Sequence, residues 1–258
     1  MNLFKELYQY RELLKTNVKK DIRGKYKGSF LGILWSFINP LLMVIIYVIV
    51  FPYIMKVKTE NYLIFLICGV IPWNFFTTVI SQGTICITNN ANLIKKVYFP
   101  REILPISVVT SGLVNFTISC IIILIFVLFG GLGFSWHLFL LPFIALIQYI
   151  ISLAIIFTLS AINVYIKDVE YIMNFLISML FYATPILYSV EMFVDSPISI
   201  IFNINPFAHL ISAYRDIFYL HQLPDMGTLT LLLIIGIIML CLSYKIFKKL
   251  EKRFAEEI

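Results

Sequence analysis

The sequence predicts an all-α integral membrane protein with six transmembrane helices, on three observations. The 64 residues from Ile103 to Ile166 contain no Asp, Glu, Lys or Arg, and five further uncharged stretches of 19 to 34 residues interrupt the chain. Hydrophobic residues make up 60% of the chain and charged ones only 13%, against roughly 25% charged in a soluble domain. The basic residues are segregated, with 17 of the 20 falling on one side of a six-crossing arrangement. About 20 apolar residues carry a helix through the hydrocarbon core, so these stretches read as crossings and water-soluble enzyme folds are excluded.

Taken in order, the first residues show scattered charges and no apolar core ahead of a small-residue site, which is not the pattern of a cleaved leader. Leu3, Leu7, Tyr10, Leu14, Val18 and Ile22 recur at helical spacing, with Lys5, Glu6, Glu12, Lys15, Lys19 and Lys20 mostly elsewhere on the wheel. That is an amphipathic helix on the inner membrane surface, its lysines meeting anionic headgroups at roughly 1 kcal/mol each. Its plainer role is an anchor; its more specific one is a lever or gate at the inner mouth. The spans follow at Leu31–Met55, Tyr62–Ile87, Ile103–Phe129, Leu138–Ile166, Tyr171–Tyr188 and Leu229–Phe247. The third and fourth are one uncharged run divided by Gly130-Gly131-Leu132-Gly133. Only Lys56, Lys58 and Arg215 then lie opposite the other basic residues, and the positive-inside rule places both termini in the cytoplasm. Ser196–Tyr214 is also uncharged but carries Pro197, Asn203, Asn205, Pro206 and His209. It reads as an outer re-entrant or interfacial helix pair, or more plainly as a loop resting on the surface. The organisation is a single domain, 1–258: a cytoplasmic amphipathic helix and basic turn over 1–29, a six-span core over 30–247 and a cytoplasmic tail over 248–258.

The composition also limits the chemistry. The spans as drawn hold no acid or histidine, and their one base, Lys245, sits at the inner end of span six, which argues against ion coupling, proton pumping and catalysis within the membrane. Gly24-Lys25 is followed by Tyr26 and lacks the upstream glycine of a phosphate loop. Energy for uphill movement must therefore come from another polypeptide. Cys68, Cys86, Cys120 and Cys241 lack metal-site spacing and read as small hydrophobes, with neither metal nor disulfide expected. The net charge of +6 is accounted for by topology, and no nucleic-acid partner is implied.

Four motifs lie at the membrane edges. Arg23-Gly24-Lys25-Tyr26-Lys27-Gly28-Ser29 runs into Leu34-Trp35-Ser36 and ends near Asn39-Pro40. Three cations on a glycine-rich backbone suit a phosphate or diphosphate, while the plainer account is the positive-inside signal with a belt tryptophan. Asn89 to Glu102 reads as a short exposed helix, capped by asparagine and followed by Pro100 opening the next span, with apolar and basic positions that fit a cleft on a soluble partner. Lys167-Asp168-Val169-Glu170 leads into span five, which ends near Thr184-Pro185-Ile186-Leu187-Tyr188. Asn205-Pro206 precedes Tyr214-Arg215-Asp216, where Arg215 is expected either to pair with Asp216 or another acid, or to meet a phosphate.

In this order, the motifs make the whole chain resemble the transmembrane subunit of ABC-2 type exporters, specifically the branch that exports O-antigen, capsular polysaccharide or teichoic acid on a polyprenyl diphosphate. The resemblance is most specific over Arg23 to Pro40 and Lys95 to Pro105. It implies a homodimer with two copies of a separate ATP-binding subunit, which carries the ATP and Mg. It also implies a bacterial cytoplasmic (inner) membrane location and a transport subunit rather than an enzyme. Leu3–Ile22 would be the gate helix, Asn89–Phe99 the coupling helix and Pro197–Tyr219 the outer re-entrant helices. Lys167 stands where an arginine is more usual in the family, which keeps the charge but not bidentate pairing.

The implied site residues fall in two groups. Substrate is expected at Arg23, Lys25 and Lys27 for the diphosphate, and at Phe37, Tyr47 and Phe51 of span one and Phe175, Phe181, Tyr182 and Tyr188 of span five for the glycan. Phe37, Pro40, Val44, Tyr47 and Phe51 share one helical stripe, and aromatic faces stack on the C–H faces of sugars; such stripes also serve ordinary packing. The ATPase is expected at Asn92, Leu93, Lys95, Lys96, Tyr98, Lys167 and Asp168. The alternatives are an exporter of a drug, lipid or small peptide and, less favoured, a membrane-embedded enzyme of glycan assembly.

Overall fold

The computed structural model describes residues 8–24, 35–55, 61–193 and 196–258, and among these every regular element is helical. In chain order they are α1 (Arg11–Gly24), α2 (Trp35–Met55), α3 (Tyr62–Thr84), α4 (Ala91–Lys96), α5 (Ile103–Phe129), α6 (Leu141–Tyr165), α7 (Asp168–Tyr182), α8 (Ser199–Ile204), α9 (Pro206–Arg215), α10 (Met226–Leu250) and α11 (Phe254–Glu257). Four helical stretches are long and apolar enough to cross a bilayer: Tyr62–Thr84, Ile103–Phe129, Trp136–Tyr165 and Met226–Glu257. The 21 residues of α2 reach about 31 Å, the thickness of a hydrocarbon core.

The hub is α3, with 17 of its 23 residues buried. It packs against α2, α5, α6, α7 and α9, while α6 and α10 lie together along much of their length. Two glycines inside helices permit close helix–helix approaches. A Cβ on Gly112 would stand 2.2 Å from Val79 Cγ2, and one on Gly83 would stand 2.6 Å from Ile156 Cδ1. Between α5 and α6 the chain reverses at Gly131 and Gly133, both left-handed at φ near +75°, as the glycine break in the sequence requires.

Several boundaries differ from the sequence expectation. Span two stops at Thr84 rather than Ile87, because the chain tightens there into a turn that continues as a 3₁₀ segment at Thr88–Asn90. Span four enters through a 3₁₀ turn at Trp136–Leu140. Span six is longer than expected, starting at Met226, where the Asp225 side chain accepts from the backbone N–H groups of Gly227 and Thr228. The largest correction is span five. Its helix begins at Asp168 and ends at Tyr182, 15 residues or about 22 Å, well short of Tyr188. Pro185 explains the stop, since its ring cannot follow a helical residue or supply an N–H.

At the other loops, the connecting helix near Asn89–Phe99 shrinks to Ala91–Lys96, and Val97 is already extended. Asn90 does not cap it; its amide donates to Cys86 O. Pro100 does not open α5, which begins at Ile103. Ser196–Tyr214 does form a helix pair, α8 and α9, followed by a π-helical turn at Asp216–Leu220. The amphipathic helix is described from Tyr8 onward, with residues 1–7 outside the described set. Rather than only resting on a surface, α1 packs on α5, with Tyr10, Leu13 and Leu14 against the core and Asn17 its most buried described residue.

Candidate functional site

Three places on this frame bear on function: the Tyr182 end of α7, an aromatic seam beside it, and the opposite, lysine-rich end of the bundle. Where α7 stops early, residues 183–187 continue as irregular backbone, with Thr184, Ile186 and Leu187 fully or almost fully buried. Non-helical backbone at membrane depth is stable only when other groups meet its polar atoms. Here every carbonyl of the segment has a partner. Asn205 Nδ2 donates to Ala183 O, the backbone N–H of Ile186 to Thr184 O, and Tyr62 Oη to Leu187 O. Arg215 serves the remaining two, with Nη1 2.5 Å from Pro185 O and Nη2 2.7 Å from Ile186 O.

Arg215 therefore corrects the sequence reading. It neither lies at a surface nor pairs with Asp216, whose carboxylate accepts from Gln222 instead. Its guanidinium sits 3.6 Å from the centroid of the Phe65 ring and passes Gly69 so closely that a Cβ there would stand 3.0 Å from Nη2. Phe65 and Gly69 are one turn apart on α3, so one face of that helix supplies both the ring and the gap.

The aromatic seam brings together some of the expected residues. Tyr47 on α2 and Phe181 on α7 meet with ring centroids 6.1 Å apart, and Trp73 of α3 lies 6.0 Å from Phe181. Trp73, which the sequence reading did not single out, also contacts Phe76 and Phe207. Phe175 and Tyr182 are exposed, at 65% and 71%. Tyr188 stands apart from the seam, against Phe193 and Phe202, and its hydroxyl donates to Tyr182 O. Val44, of the same α2 stripe as Tyr47, is buried in the core, while the open side of α2 carries Leu42, Met43, Ile45, Ile46 and Ile49. The side chains of Arg23, Phe37, Pro40 and Phe51, and the whole of Lys25 and Lys27, lie outside the described residues.

At the lysine-rich end, Ile94 and Phe99 are buried and anchor the α4 segment. Asn92, Lys95, Lys96, Val97 and Tyr98 face outward, Tyr98 at 91% exposure, and Leu93 is half-buried. Lys167 and Asp168 are exposed as well. Beneath this surface, the fully buried Glu102 holds Lys248, whose Nζ lies 3.0 Å from Oε1 and 3.1 Å from Oε2 and also meets Glu251 at 2.9 Å. Burial opposes the charge of Lys248, but the two carboxylates outweigh it and raise its pKa; burial raises that of Glu251, against the pull of Lys248. Arg101 donates to Glu251 O and Tyr165 to Leu250 O. The tail is docked rather than free: Phe254 is fully buried against Phe247 and Tyr165. Glu102 and Lys248 could not be paired from a sequence in which 146 positions separate them.

At the same end, an open cavity of about 450 Å³ lies between α1 and the ends of α3 and α5, lined by residues including Asn17, Lys20, Asp21, Gln82, Asn89, Asn90, Leu104, Ser107 and Val108.

The comparisons with known proteins bear on this arrangement directly. The family model described as ABC-2 type transporter matches residues 12–219. The chain is 38% identical to the "O-antigen export system permease protein RfbA" of Myxococcus xanthus, over the full length of both chains. It is also 35% identical to a protein of that name from Klebsiella pneumoniae, over 95% of this chain and 94% of that one.

Proposed function

The chain belongs to the ABC-2 type transporter family, and from that premise we propose that it is the permease subunit of an ATP-driven exporter of O-antigen-type polysaccharide carried on a polyprenyl diphosphate. The observation that carries this reading is the similarity to O-antigen export permeases along the whole chain. A family permease is a transport component that works with an ATP-binding subunit. The finer assignments are ours: a homodimer, two ATP-binding subunits carrying ATP and Mg, a bacterial cytoplasmic membrane and both termini in the cytoplasm. The six crossings comprise the four long helices, α2, and α7 completed by its protected irregular end.

On this reading export proceeds from the inner leaflet outward. The carrier diphosphate is held by Arg23, Lys25 and Lys27 beside the α1 helix at the inner leaflet. ATP-driven closure of the partner presses on the exposed face of Asn92, Lys95, Lys96 and Tyr98, with Leu93, Lys167 and Asp168 at its margin. Glu102 immediately precedes α5 and Lys248 lies in the last turn of α10, so their ion pair passes that push into two crossings together. The glycan moves outward between two copies along α2 and α7. There Phe175 and Tyr182 are open to a neighbour and Tyr47 and Phe181 line the adjoining seam; Phe37 and Phe51 are assigned to the same path from the sequence, and Tyr188 contributes from its separate cluster with Phe193 and Phe202. Aromatic faces suit a threaded glycan because stacking requires no single linkage.

Purification from the native cell in mild detergent, with mass spectrometry of what accompanies the chain, tests the reading. A stoichiometric ATP-binding subunit with a polyprenyl-linked glycan is the expected result. The ATPase without glycan would shift the substrate to a small molecule or lipid, and no ATPase would refute the proposed energy source.

A further inference from the structure

The cavity beside α1 contains a group that the cycle above does not use. Asn17 is only 9% exposed, lines the cavity, and has an amide Nδ2 with no hydrogen-bond partner. A buried donor left unmade costs about 1–3 kcal/mol, so a residue of this kind at a cavity wall marks a place where a ligand supplies the acceptor. The other walls define which ligand. Lys20 and Asp21 carry opposite charges, Gln82 and Asn89 add amides with both donor and acceptor ends, and Ser107 gives its hydroxyl hydrogen to Leu104 O, leaving an oxygen to accept. An approximately neutral lining with interleaved donors and acceptors is poorly suited to a dianion and well suited to a neutral polyhydroxylated ring. The apolar side of the cavity can take the C–H face of a ring, and its volume is within the roughly 300–1,000 Å³ of small-molecule sites.

Resting on the exporter reading, we infer that this cavity binds the carrier-proximal sugar of the lipid-linked glycan, as a site distinct from the basic turn assigned to the diphosphate. Gly24 lines the cavity and immediately precedes Lys25 in the sequence, which ties the sugar site to a residue assigned to the diphosphate. Asn17 then reports, from α1, that a sugar-bearing carrier rather than an empty one has arrived.

The test compares two probes on the purified exporter complex by native mass spectrometry: a polyprenyl diphosphate bearing one hexose, and the same diphosphate without sugar. The wild-type complex is expected to prefer the hexose-bearing probe by about tenfold, the worth of one or two net hydrogen bonds. In Asn17→Leu that preference should fall to about onefold. If Asn17 were only a packing residue, removing its unpaired amide would leave the preference intact and raise the melting temperature, and that result overturns the inference. Equal weakening of both probes in Asn17→Leu would assign the cavity to the diphosphate and also overturn it. Should Asn17→Leu fail to assemble, Gln82→Leu supplies the same comparison from α3. Binding of neither probe by wild type would refute the exporter reading itself, a result separable from loss of the preference alone.

Discussion

Substitution of Arg215 separates two explanations of a buried cation. If its role is to satisfy the broken end of α7, the fork geometry matters; if it meets a phosphate, the charge matters. Arg215→Met strands Pro185 O and Ile186 O, at about 1–3 kcal/mol each, but it also relieves the desolvation of a buried guanidinium, which amounts to several kcal/mol. The net cost is about 1–3 kcal/mol. Arg215→Lys keeps the buried charge, and one ammonium cannot reproduce donors 2.5 Å and 2.7 Å from two successive carbonyls while stacked 3.6 Å from Phe65. It should lose about 3–5 kcal/mol, the cost of a buried charge deprived of its partners. At about 2–4 °C per kcal/mol, Lys should lower the melting temperature by about 10 °C and Met by clearly less. Fluorescence-detected size exclusion of the heated detergent complex measures both. A lysine variant as stable and export-competent as wild type, beside a failing methionine variant, would refute the reasoning. Tyr62→Phe, which strands only Leu187 O, provides the scale at about 1 kcal/mol.

The lysine-rich end gives three more tests. Tyr98→Ala removes a side chain 91% exposed, so stability should move by no more than about 0.5 kcal/mol, whereas co-purification of the ATP-binding subunit should drop; unchanged co-purification would remove Tyr98 from that contact. Glu102→Gln should cost about 2 kcal/mol, a buried-pair loss discounted because Lys248 is one-third exposed. The pair's pH dependence follows from the raised pKa of Lys248: its contribution is full below the unfolded value of about 10.4 and fades as pH rises through the higher folded value. Glu102→Gln should therefore weaken the alkaline part of the wild-type unfolding profile, with Glu251 retaining the rest. Phe254→Ala empties a fully buried ring site, at about 3–5 kcal/mol, and should make the tail cleavable by protease ahead of the crossings.

The long crossings were legible because length and absence of charge are direct demands of the bilayer. The Gly131 and Gly133 reversal was legible because only a residue without a side chain takes that φ cheaply. The partner of Arg215 was not. Asp216 follows it in sequence, but adjacent residues of a helix point about 100° apart, so the nearest acid in the sequence faces elsewhere and the true partners lie 29 and 30 positions away. The early end of α7 did leave a signal in Pro185, obscured by the apolar residues that follow it. Asn17 left none, since one asparagine on an amphipathic helix reads as its polar face until the packing of α1 on α5 turns it inward.

The two ends of the bundle are tied by different chemistry, and this bears on how a push could travel. At the Tyr182 end of α7, the carbonyls of 183–187 are met by donors from α3 and α9 and the loop before it, so moving α7 there breaks several buried hydrogen bonds at once. At the lysine-rich end, Glu102, Lys248 and Glu251, with Arg101 on Glu251 O and Tyr165 on Leu250 O, join the ends of α5, α6 and α10. Those bonds are partly exposed at Lys248, and together they tie the helix ends so that they shift as a group. A force on the segment just before Arg101 is therefore delivered first to three crossings as one body. Their motion relative to α7, pinned at its far end, is what would open or close the side of the subunit that carries Phe175 and Tyr182.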